Sequence, residues 1–498
     1  MSNILLGLQT VASVNVLLFL VVGCVVGLVI GALPGLTGNM AIALMVPMTF
    51  GMEPSVGLAF LAAIYCSSIY GGSISAILLG IPGTISSFAT TLDGYPLAKK
   101  GKAGLALGTS TMASVFGGLF SAIVLMFLTP VLAEVALKFG PGEYFAVSLL
   151  GIACITSISG DNIPKGLLSG MIGLLIAVIG MDPQNGYPRL TFGNMNLLSG
   201  IGLVPSLIGL FGVVSVLKTA EACKRVKTNN TMPEVDNVWI GWKECFRQLP
   251  TWIRGSVIGT IVGIIPGAGT NVATFMAYDM EKKMSKDPDS FGKGNVIGVA
   301  APESANNAVT GGSLVPLLAL GVPGNSTSAL FLGAIMIHGM RTGPVFFTEH
   351  PDVIYGLFIA IIIANIIMAP LGIFILRYMK TILSVPEELL AGIILAFCVT
   401  GVFAIATNPF DVLVLIIFGL IGYFCYKFKI PTAPMIVAMV LGSMTENNLR
   451  QALVASKGSW DFLYKQPITL TVLIIAVGSF FFPFIAAKVK KMRAAKAK

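Results

Sequence analysis

The chain has 498 residues, of which 55% are hydrophobic and only 11% are charged, and its mean hydropathy is +0.89. Soluble domains carry about 25% charged residues, so this composition excludes a soluble globular protein and indicates a polytopic membrane protein. The net charge of +9 lies largely in short loops and the tail. That pattern is typical of helix orientation in a membrane, and we expect membrane lipid, not nucleic acid, around the chain.

The first half, residues 1–217, begins with a predicted hairpin over residues 11–50. Its tip is Pro34-Gly35, because proline removes a backbone donor and glycine is a costly helix residue. A broken helix is predicted over residues 55–97, interrupted by a second Pro-Gly pair. The remaining apolar stretches are long enough to cross a bilayer. They lie near residues 104–130, 144–159, 166–181 and 196–217.

Residues 218–254 are charged, and we expect them to form a basic cytoplasmic linker. The second half, residues 255–498, repeats the plan with a hairpin over 255–280 and a broken helix over 295–340. Further spans are predicted near residues 353–376, 386–405, 410–426, 432–448 and 467–487, before a basic cytoplasmic tail. The predicted fold is an all-α polytopic membrane protein with an inverted-topology repeat, re-entrant hairpins and broken helices, and about 11–12 transmembrane segments.

Three matched motifs indicate that the halves arose by duplication. "ALPGLTGNMA" (32–41) matches "IIPGAGTNVA" (264–273) at an offset of 232. "YGGSISAILLGIPGTISS" (70–87) resembles "TGGSLVPLLALGVPGNSTS" (310–328), with a one-residue insertion after the shared Gly-Gly-Ser. Pro141-x-Glu143 and Pro386-x-Glu388 are a fainter third pair. The three pairs occur in the same order, which chance does not explain.

Loop charges predict that the second half is inverted. In the first half, the loop between the Pro-Gly motifs has no Lys or Arg, and the loop after them contains "KKGK" (99–102). In the second half, the intervening loop holds four lysines and the following loop holds only Arg341. Positively charged loops stay inside, so equivalent loops face opposite sides. The same rule places the N-terminus outside, in the periplasm, and the C-terminus in the cytoplasm.

Polar residues follow each of the four breaks, where helix N-caps are expected. Non-helical backbone at membrane depth is tolerated only where protein buries it or where it lines a wet cavity. New helix N-termini and polar donors suit a carboxylate, and paired broken helices indicate a transporter site. The alternative is that Pro and Gly only kink helices for packing. The predicted substrate-binding residues are Thr37, Gly38, Asn39, Thr84, Ser86, Thr270, Asn271, Asn325, Ser326 and Thr327.

A coupling cation is expected at carbonyls beside the breaks and in the polar segment "APESANNAVTGGS" (301–313). Glu303 is predicted to be an ion ligand or a proton carrier; the alternative is a hydrated carboxylate at the cytoplasmic interface. Hydroxyl and amide groups favour Na⁺ over H⁺, and we expect no resident cofactor or metal. The predicted coupling-ion residues are Pro34, Gly35, Pro266, Gly267, Glu303, Ser304, Asn306 and Asn307.

Asp93 and Asp161 are expected at membrane edges. Lys165, in "GDNIPKG", either attracts an anion or, as we favour, marks the cytoplasmic side.

The motifs resemble the large membrane subunit of the tripartite tricarboxylate transporters, the family typified by the citrate-uptake TctA protein. The resemblance covers essentially the whole chain and includes "YGGSISAILLGIPGTISS" and "APESANNAVTGGSLVPLLALGVPGNSTSA". It implies a bacterial inner-membrane permease that takes a carboxylate from a periplasmic solute-binding protein. It also implies a small four-helix membrane subunit and energy from an ion gradient.

Other functional classes fit the sequence less well. A stand-alone secondary symporter for organic anions is the main alternative, and it differs in needing no binding protein. A channel does not need two inverted broken-helix units. An intramembrane protease lacks its GxGD motif here, so we expect the protein not to be an enzyme.

Overall fold

The computed structural model describes residues 2–33, 36–159, 162–182, 184–222, 235, 237–267, 269–382 and 387–496. Four predicted features therefore lie wholly or partly outside the described residues: the tip Pro34-Gly35, Asp161, Pro386 of the third repeat motif, and the middle of the charged linker.

The first half is helical, apart from a short antiparallel pair of strands, β1 (Gly180–Met181) and β2 (Pro188–Arg189). A 3₁₀ turn, Ile85–Ser87, and a π-helical segment, Gly209–Val213, interrupt the α-helices. The α-helices are α1 (Ser2–Val11), α2 (Val14–Ala32), α3 (Gly38–Thr49), α4 (Pro54–Leu79), α5 (Phe88–Lys99), α6 (Ala103–Ala136), α7 (Pro141–Ala153), α8 (Ile155–Ile158), α9 (Ile163–Ala177), α10 (Leu203–Ile208) and α11 (Val214–Ala222).

The second half contains the remaining α-helices. Several of them begin with proline in the first turn, where its missing N–H leaves no hydrogen bond unmade. They are α12 (Trp242–Ile264), α13 (Thr270–Met284), α14 (Val296–Leu320), α15 (Ser326–Ile337), α16 (Pro344–Glu349), α17 (Pro351–Leu376), α18 (Met379–Ile382), α19 (Glu387–Ala406), α20 (Pro409–Lys427), α21 (Ala433–Ala455), α22 (Phe462–Lys465) and α23 (Pro467–Lys496).

Six helices among the described residues are long and apolar enough to cross a membrane, and several shorter apolar helices accompany them. The apolar window of α4 is completely buried inside the protein, whereas that of α20 is only one-third buried. A helix that is hydrophobic all round and buried on all sides belongs to the centre of a helical bundle. The prediction of an all-α polytopic membrane protein is confirmed.

Two boundaries differ from the prediction. Helix α1 precedes the first hairpin, and α12 begins at Trp242, inside the segment predicted as a linker. The start of α12 carries both charged and apolar residues: Trp242 and Phe246 are exposed, while Gln248 and Trp252 are buried. Such an amphipathic helix end has low average hydropathy, so composition alone made it resemble a polar connection.

Glycines let α2 and α12 approach α4 and α14 in the same way. A Cβ on Gly27 would lie 2.7 Å from the carbonyl oxygen of Ile64, and one on Gly259 would lie 2.3 Å from that of Ala305. Neither position has room for a side chain. Gly27 and Gly259 are separated by the offset of the repeat motif, so a backbone contact of one half recurs in the other.

The same contacts correct the alignment of the Gly-Gly-Ser motifs. Gly71 packs against Leu28, and Gly312 packs against Thr260, which is the equivalent of Leu28. The motif alignment instead paired Gly71 with Gly311. The structure therefore pairs Gly71 with Gly312. From these glycines to the Pro-Gly breaks, α4 and α14 correspond without an insertion.

Helices of the two halves interlock around the breaks. Helix α6 of the first half packs along α14 of the second, and α17 of the second half packs along α4 of the first. The largest hydrophobic cluster takes residues from both halves, including Leu61, Leu125, Phe331 and Phe358. The ends of the broken helices are thereby held near one another in the interior.

Candidate functional site

The first break places two predicted residues at the start of α3. Thr37 is the N-cap, and its hydroxyl accepts a hydrogen bond from Met40 N at 3.3 Å. Asn39, two residues later, donates from Nδ2 to Ser326 Oγ at 2.8 Å and accepts through Oδ1 from the Thr327 hydroxyl. Residues predicted separately from the two halves are therefore in direct contact.

The break before α15 is closed by a capping box. Asn325 Oδ1 accepts from Ser328 N at 2.8 Å, and Ser328 Oγ accepts from Asn325 N at 2.9 Å. Asn325 Nδ2 also donates to the hydroxyl of Tyr65 at 3.1 Å, and that hydroxyl lies 3.0 Å from Ser313 Oγ. These bonds satisfy the amides of Asn325 and Ser328 at the start of α15 and fix the backbone that carries Ser326 and Thr327.

A cavity of about 720 Å³ opens beside Thr37 and Asn39. Lys165, Lys218 and Lys429 also line it. Lys165 donates to the carbonyl of Phe428 at 2.5 Å, and the Lys218 ammonium lies 4.1 Å from the ring centroid of Tyr426. Polar caps thus lie on one wall of the cavity and three cationic side chains on others.

Two helix N-termini add positive partial charge to this cavity. Thr37 caps α3, and Asn162, which also lines the cavity, caps α9 by accepting from Lys165 N at 3.3 Å. The start of a helix carries about half a positive elementary charge. The cavity is therefore suited to anions, and its volume fits a small organic acid.

A smaller cavity of about 350 Å³ shares Thr37 and Ile85 with the larger one. Pro82, Gly83 and Asn271 also line it. Predicted residues of both hairpins, Thr37 and Asn271, therefore line the smaller cavity, whereas the predicted residues Thr84 and Ser86 of the first broken helix line neither cavity.

The predicted coupling-ion residue Glu303 is completely buried, which contradicts the alternative of a hydrated carboxylate. Four hydroxyl groups donate to it. Two reach Oε1: Ser73 at 2.6 Å, and Thr90. Two reach Oε2: Ser110 at 3.0 Å and Ser114 at 2.9 Å.

Some predicted residues have other roles. The N-cap of α13 is Gly269, so Thr270 is the first helical residue and does not cap. Ser304 donates to its own helix at Ala301 O. Gly38 is a packing residue, since a Cβ there would lie 2.6 Å from Ser68 Oγ.

Gly267, predicted to bind the cation, connects two breaks. Its N–H donates to Gly324 O at 2.9 Å, and its φ of 83° suits glycine. Pro266 precedes it in the same turn. Asn306 is fully buried, and its side-chain amide has no hydrogen-bond partner among the described residues.

Asp93, expected at a membrane edge, is fully buried within the protein and connects the two halves. Its carboxylate accepts from the N–H groups of Gly292, Gly294 and Asn295 at 2.7–3.0 Å, and from the Tyr278 hydroxyl at 2.8 Å. Those amides immediately precede α14. Asp93 thus acts as a structural anion for the start of the helix that carries Glu303.

Arg450 belongs to a cluster of paired charges. Arg450 lies 2.9 Å from Asp182 and 2.7 Å from Glu446, and Arg189 lies 2.6 Å from Glu446. The backbone amides that follow Asp182, and then the two arginines, lower the pKa of its carboxyl.

Sequence reasoning missed the four hydroxyls around Glu303 and two of the cavity lysines, Lys218 and Lys429. Ser110 and Ser114 are one helical turn apart, which is the available signal for a shared face. Lys429 carried only the general signal of a cytoplasmic loop.

The chain is similar to one protein family and to two curated proteins. The family model described as "Tripartite tricarboxylate transporter TctA family" matches residues 17–437. Two relatives come from Agrobacterium vitis, and both are described as uncharacterized. The protein in the TAR-I ttuC' 3' region is 36% identical over 479 residues, covering 96% of this chain and 94% of that protein. The protein in the TAR-II ttuC' 3' region is 35% identical over 215 residues, covering 43% and 89%. No solved structure matches the chain.

Proposed function

Because the chain belongs to the tripartite tricarboxylate transporter TctA family, we propose that it is the large permease subunit of a transporter that imports tricarboxylates or dicarboxylates such as citrate. A periplasmic solute-binding protein delivers the substrate, and a small four-helix membrane subunit completes the assembly in the bacterial inner membrane. A cation gradient drives uptake, with Na⁺ favoured over H⁺. The transported carboxylate changes sides without covalent change, so the protein is not an enzyme.

The observation that carries this proposal is the cavity beside Thr37 and Asn39, which Lys165, Lys218 and Lys429 also line. A carboxylate binds most strongly to charged donors, and a di- or tricarboxylate needs more than one of them. Lysines placed on separate elements can each contact a different carboxylate of one ligand. The Thr37 hydroxyl and the Asn39 amide, at the start of α3, fix the orientation of the bound carboxylate.

The predicted sidedness gives the cavity a direction. The three lysines lie in segments that the positive-inside rule places in the cytoplasm. The cavity therefore opens inward, towards the compartment where an imported substrate is released. Asn39, which bonds with Ser326 and Thr327, is one of the residues that line it.

An inverted repeat is supported by the directions of equivalent helices. Ser73 contacts Glu303, and Tyr65 contacts Ser313, so α4 and α14 cross in opposite directions. A repeat related by an axis along the membrane normal would make them run the same way. Antiparallel crossing is what an axis in the membrane plane requires.

The proposal is tested with proteoliposomes that contain this chain and its small subunit. Uptake of radiolabelled citrate is measured with and without the purified binding protein and with an inward Na⁺ or H⁺ gradient. We expect uptake only when the binding protein and a cation gradient are both present. Equal uptake without the binding protein would favour the stand-alone symporter. Failure to transport any di- or tricarboxylate in the complete system would contradict the proposal.

A further inference from the structure

We propose that Glu303 and the hydroxyls of Ser73, Thr90, Ser110 and Ser114 form a binding site for a dehydrated Na⁺ ion. The site lies apart from the residues that line the two cavities. As the coupling site of the transporter, it rests on the proposed function. As a cation site, it stands on its own geometry.

Four helices bring these oxygens together. Ser73 lies on α4, Thr90 on α5, Ser110 and Ser114 on α6, and Glu303 on α14. Each oxygen of the carboxylate accepts two hydroxyl hydrogen bonds. With the two carboxylate oxygens, the cluster offers six oxygen atoms, and its side chains contribute no nitrogen. Hard cations such as Na⁺ are held by oxygen ligands of this kind.

Burial requires that the charge of the Glu303 carboxylate be neutralised, either by a bound cation or by a proton. An unpaired carboxylate inside a membrane protein is costly, because hydroxyl hydrogen bonds replace only part of its hydration. Within the described part of the chain, no Lys, Arg or His forms an ion pair with Glu303. A bound monovalent cation balances the charge. A hydroxyl has both a donor hydrogen and acceptor lone pairs, so the same four groups turn their lone pairs to the ion when it binds.

A neighbouring amide gives independent support. Asn307, one turn beyond Glu303, is fully buried and donates from Nδ2 to Ser114 O at 3.2 Å. Its Oδ1 has no hydrogen-bond partner among the described residues. Buried polar atoms normally have partners, and those that lack one require an explanation. An amide oxygen cannot donate a hydrogen bond to a carboxylate, but it is a suitable additional ligand for a cation.

A chain of hydroxyls connects this cation site to the smaller cavity. Ser73 Oγ lies 3.2 Å from Ser87 Oγ, and Thr84 Oγ1 lies 2.7 Å from Ser87 Oγ and 3.1 Å from Ser86 Oγ. Thr84 is between Gly83 and Ile85, which line that cavity. Neighbouring hydroxyls thus run from the cation site to the break that lines the smaller cavity.

The test measures ²²Na⁺ binding to the purified full-length chain in detergent, with no carboxylate present. We expect saturable binding that Glu303→Gln abolishes and that the double variant Ser110→Ala/Ser114→Ala weakens at least about tenfold. The matched control is Ser121→Ala. Ser121 is a buried residue of the same helix whose hydroxyl bonds to Gly118 O. Its loss is expected to leave Na⁺ affinity unchanged.

Two outcomes would overturn the cation site. One is no saturable Na⁺ binding, with citrate uptake driven by a pH gradient alone, which would make Glu303 a proton carrier. The other is equal Na⁺ affinity in the double variant, the control and the parent chain. The double variant keeps the Glu303 carboxylate, so it still tests the cation site if Glu303→Gln fails to fold. Na⁺ binding without any carboxylate transport would contradict the proposed function and leave the cation site standing.

Discussion

Asn39 and Asn271 occupy the same place in the two repeats but have different surroundings. Asn39 is half-buried and bonds with Ser326 and Thr327, which follow the break of the other half. Asn271 is exposed and lines the smaller cavity. One hairpin is therefore fastened across the interface between the halves, and its counterpart faces an opening.

The residues opposite each asparagine explain this difference. Counted from the Pro-Gly break, Ser326 corresponds to Ile85 and Thr327 to Ser86. Ile85 offers no hydrogen bond, and Ser86 is bonded to Thr84. A duplicated motif thus acquires two roles through a change at the partner position. The asparagines themselves are identical.

The largest expected effect concerns the three lysines that line the cavity beside Asn39, since none of the described residues that line the smaller cavity beside Asn271 is a lysine. We predict that the triple variant Lys165→Gln/Lys218→Gln/Lys429→Gln raises KM for citrate by at least about 100-fold. Hydrogen bonds to charged groups contribute about 1.5–3 kcal/mol each, so losing two suffices. The control changes Lys282, Lys283 and Lys286 to Gln, which are exposed at and after the end of α13. An equal rise of KM in both triple variants would remove the cavity as the carboxylate site.

The second comparison concerns a contact that only the first half makes. Asp93 lies ten residues after Gly83, and the residue ten after Gly324 is Ala334. We predict that Asp93→Asn lowers the free energy of unfolding by about 2–4 kcal/mol, because buried amides lose their anionic acceptor. Thermal unfolding in detergent measures it.

The control for this variant is Asp289→Asn, an exposed carboxylate close to the loop that Asp93 holds. It is expected to leave the midpoint unchanged. If Asp93→Asn unfolds at the same temperature as the control, the carboxylate does not hold the start of α14.

A smaller effect separates the two asparagines directly. Both are predicted to contribute to uptake, so citrate transport falls in Asn39→Ala and in Asn271→Ala. Only Asn39→Ala is expected to lower stability, by about 1–3 kcal/mol, because it leaves Ser326 and Thr327 without their partner. Hydrogen exchange over residues 325–330 should accelerate in that variant alone. Faster exchange there in Asn271→Ala would mean that both hairpins are fastened in the same way.

Local signals predicted the breaks, because Pro and Gly act on their own turn of backbone. Thr37 and Asn325 cap helices where the sequence placed caps. Long-range partners were not predictable in this way. The pairing of Asn39 with Ser326 depends on how two repeats interlock, and no local pattern states that.

The hydroxyls around Glu303 show a second limit. Serine and threonine within helices commonly bond to their own backbone one turn earlier, as Thr129 does with Leu125 O. Ser114 and Ser110 look the same in sequence, yet they bond to a carboxylate from the other half. The polar segment around Glu303 was recognisable because a carboxylate is rare at membrane depth. The serines and threonine that donate to Glu303 are ordinary residues of apolar helices and carry no such signal.

The smallest and most specific test makes the first half resemble the second. In Ile85→Ser, a hydroxyl stands where Ser326 stands in the other half, and the loss of Ile85 costs little packing because its side chain is 72% exposed. We predict that Asn271 gains a partner worth up to about 1 kcal/mol, and that hydrogen exchange over residues 270–275 slows by up to about fivefold. Ile81→Ser, an exposed change just before the break, is the control. Equal exchange in both variants would mean that the residue opposite each asparagine does not set the difference between the halves, and the cause would then lie in the packing of α13 against α14.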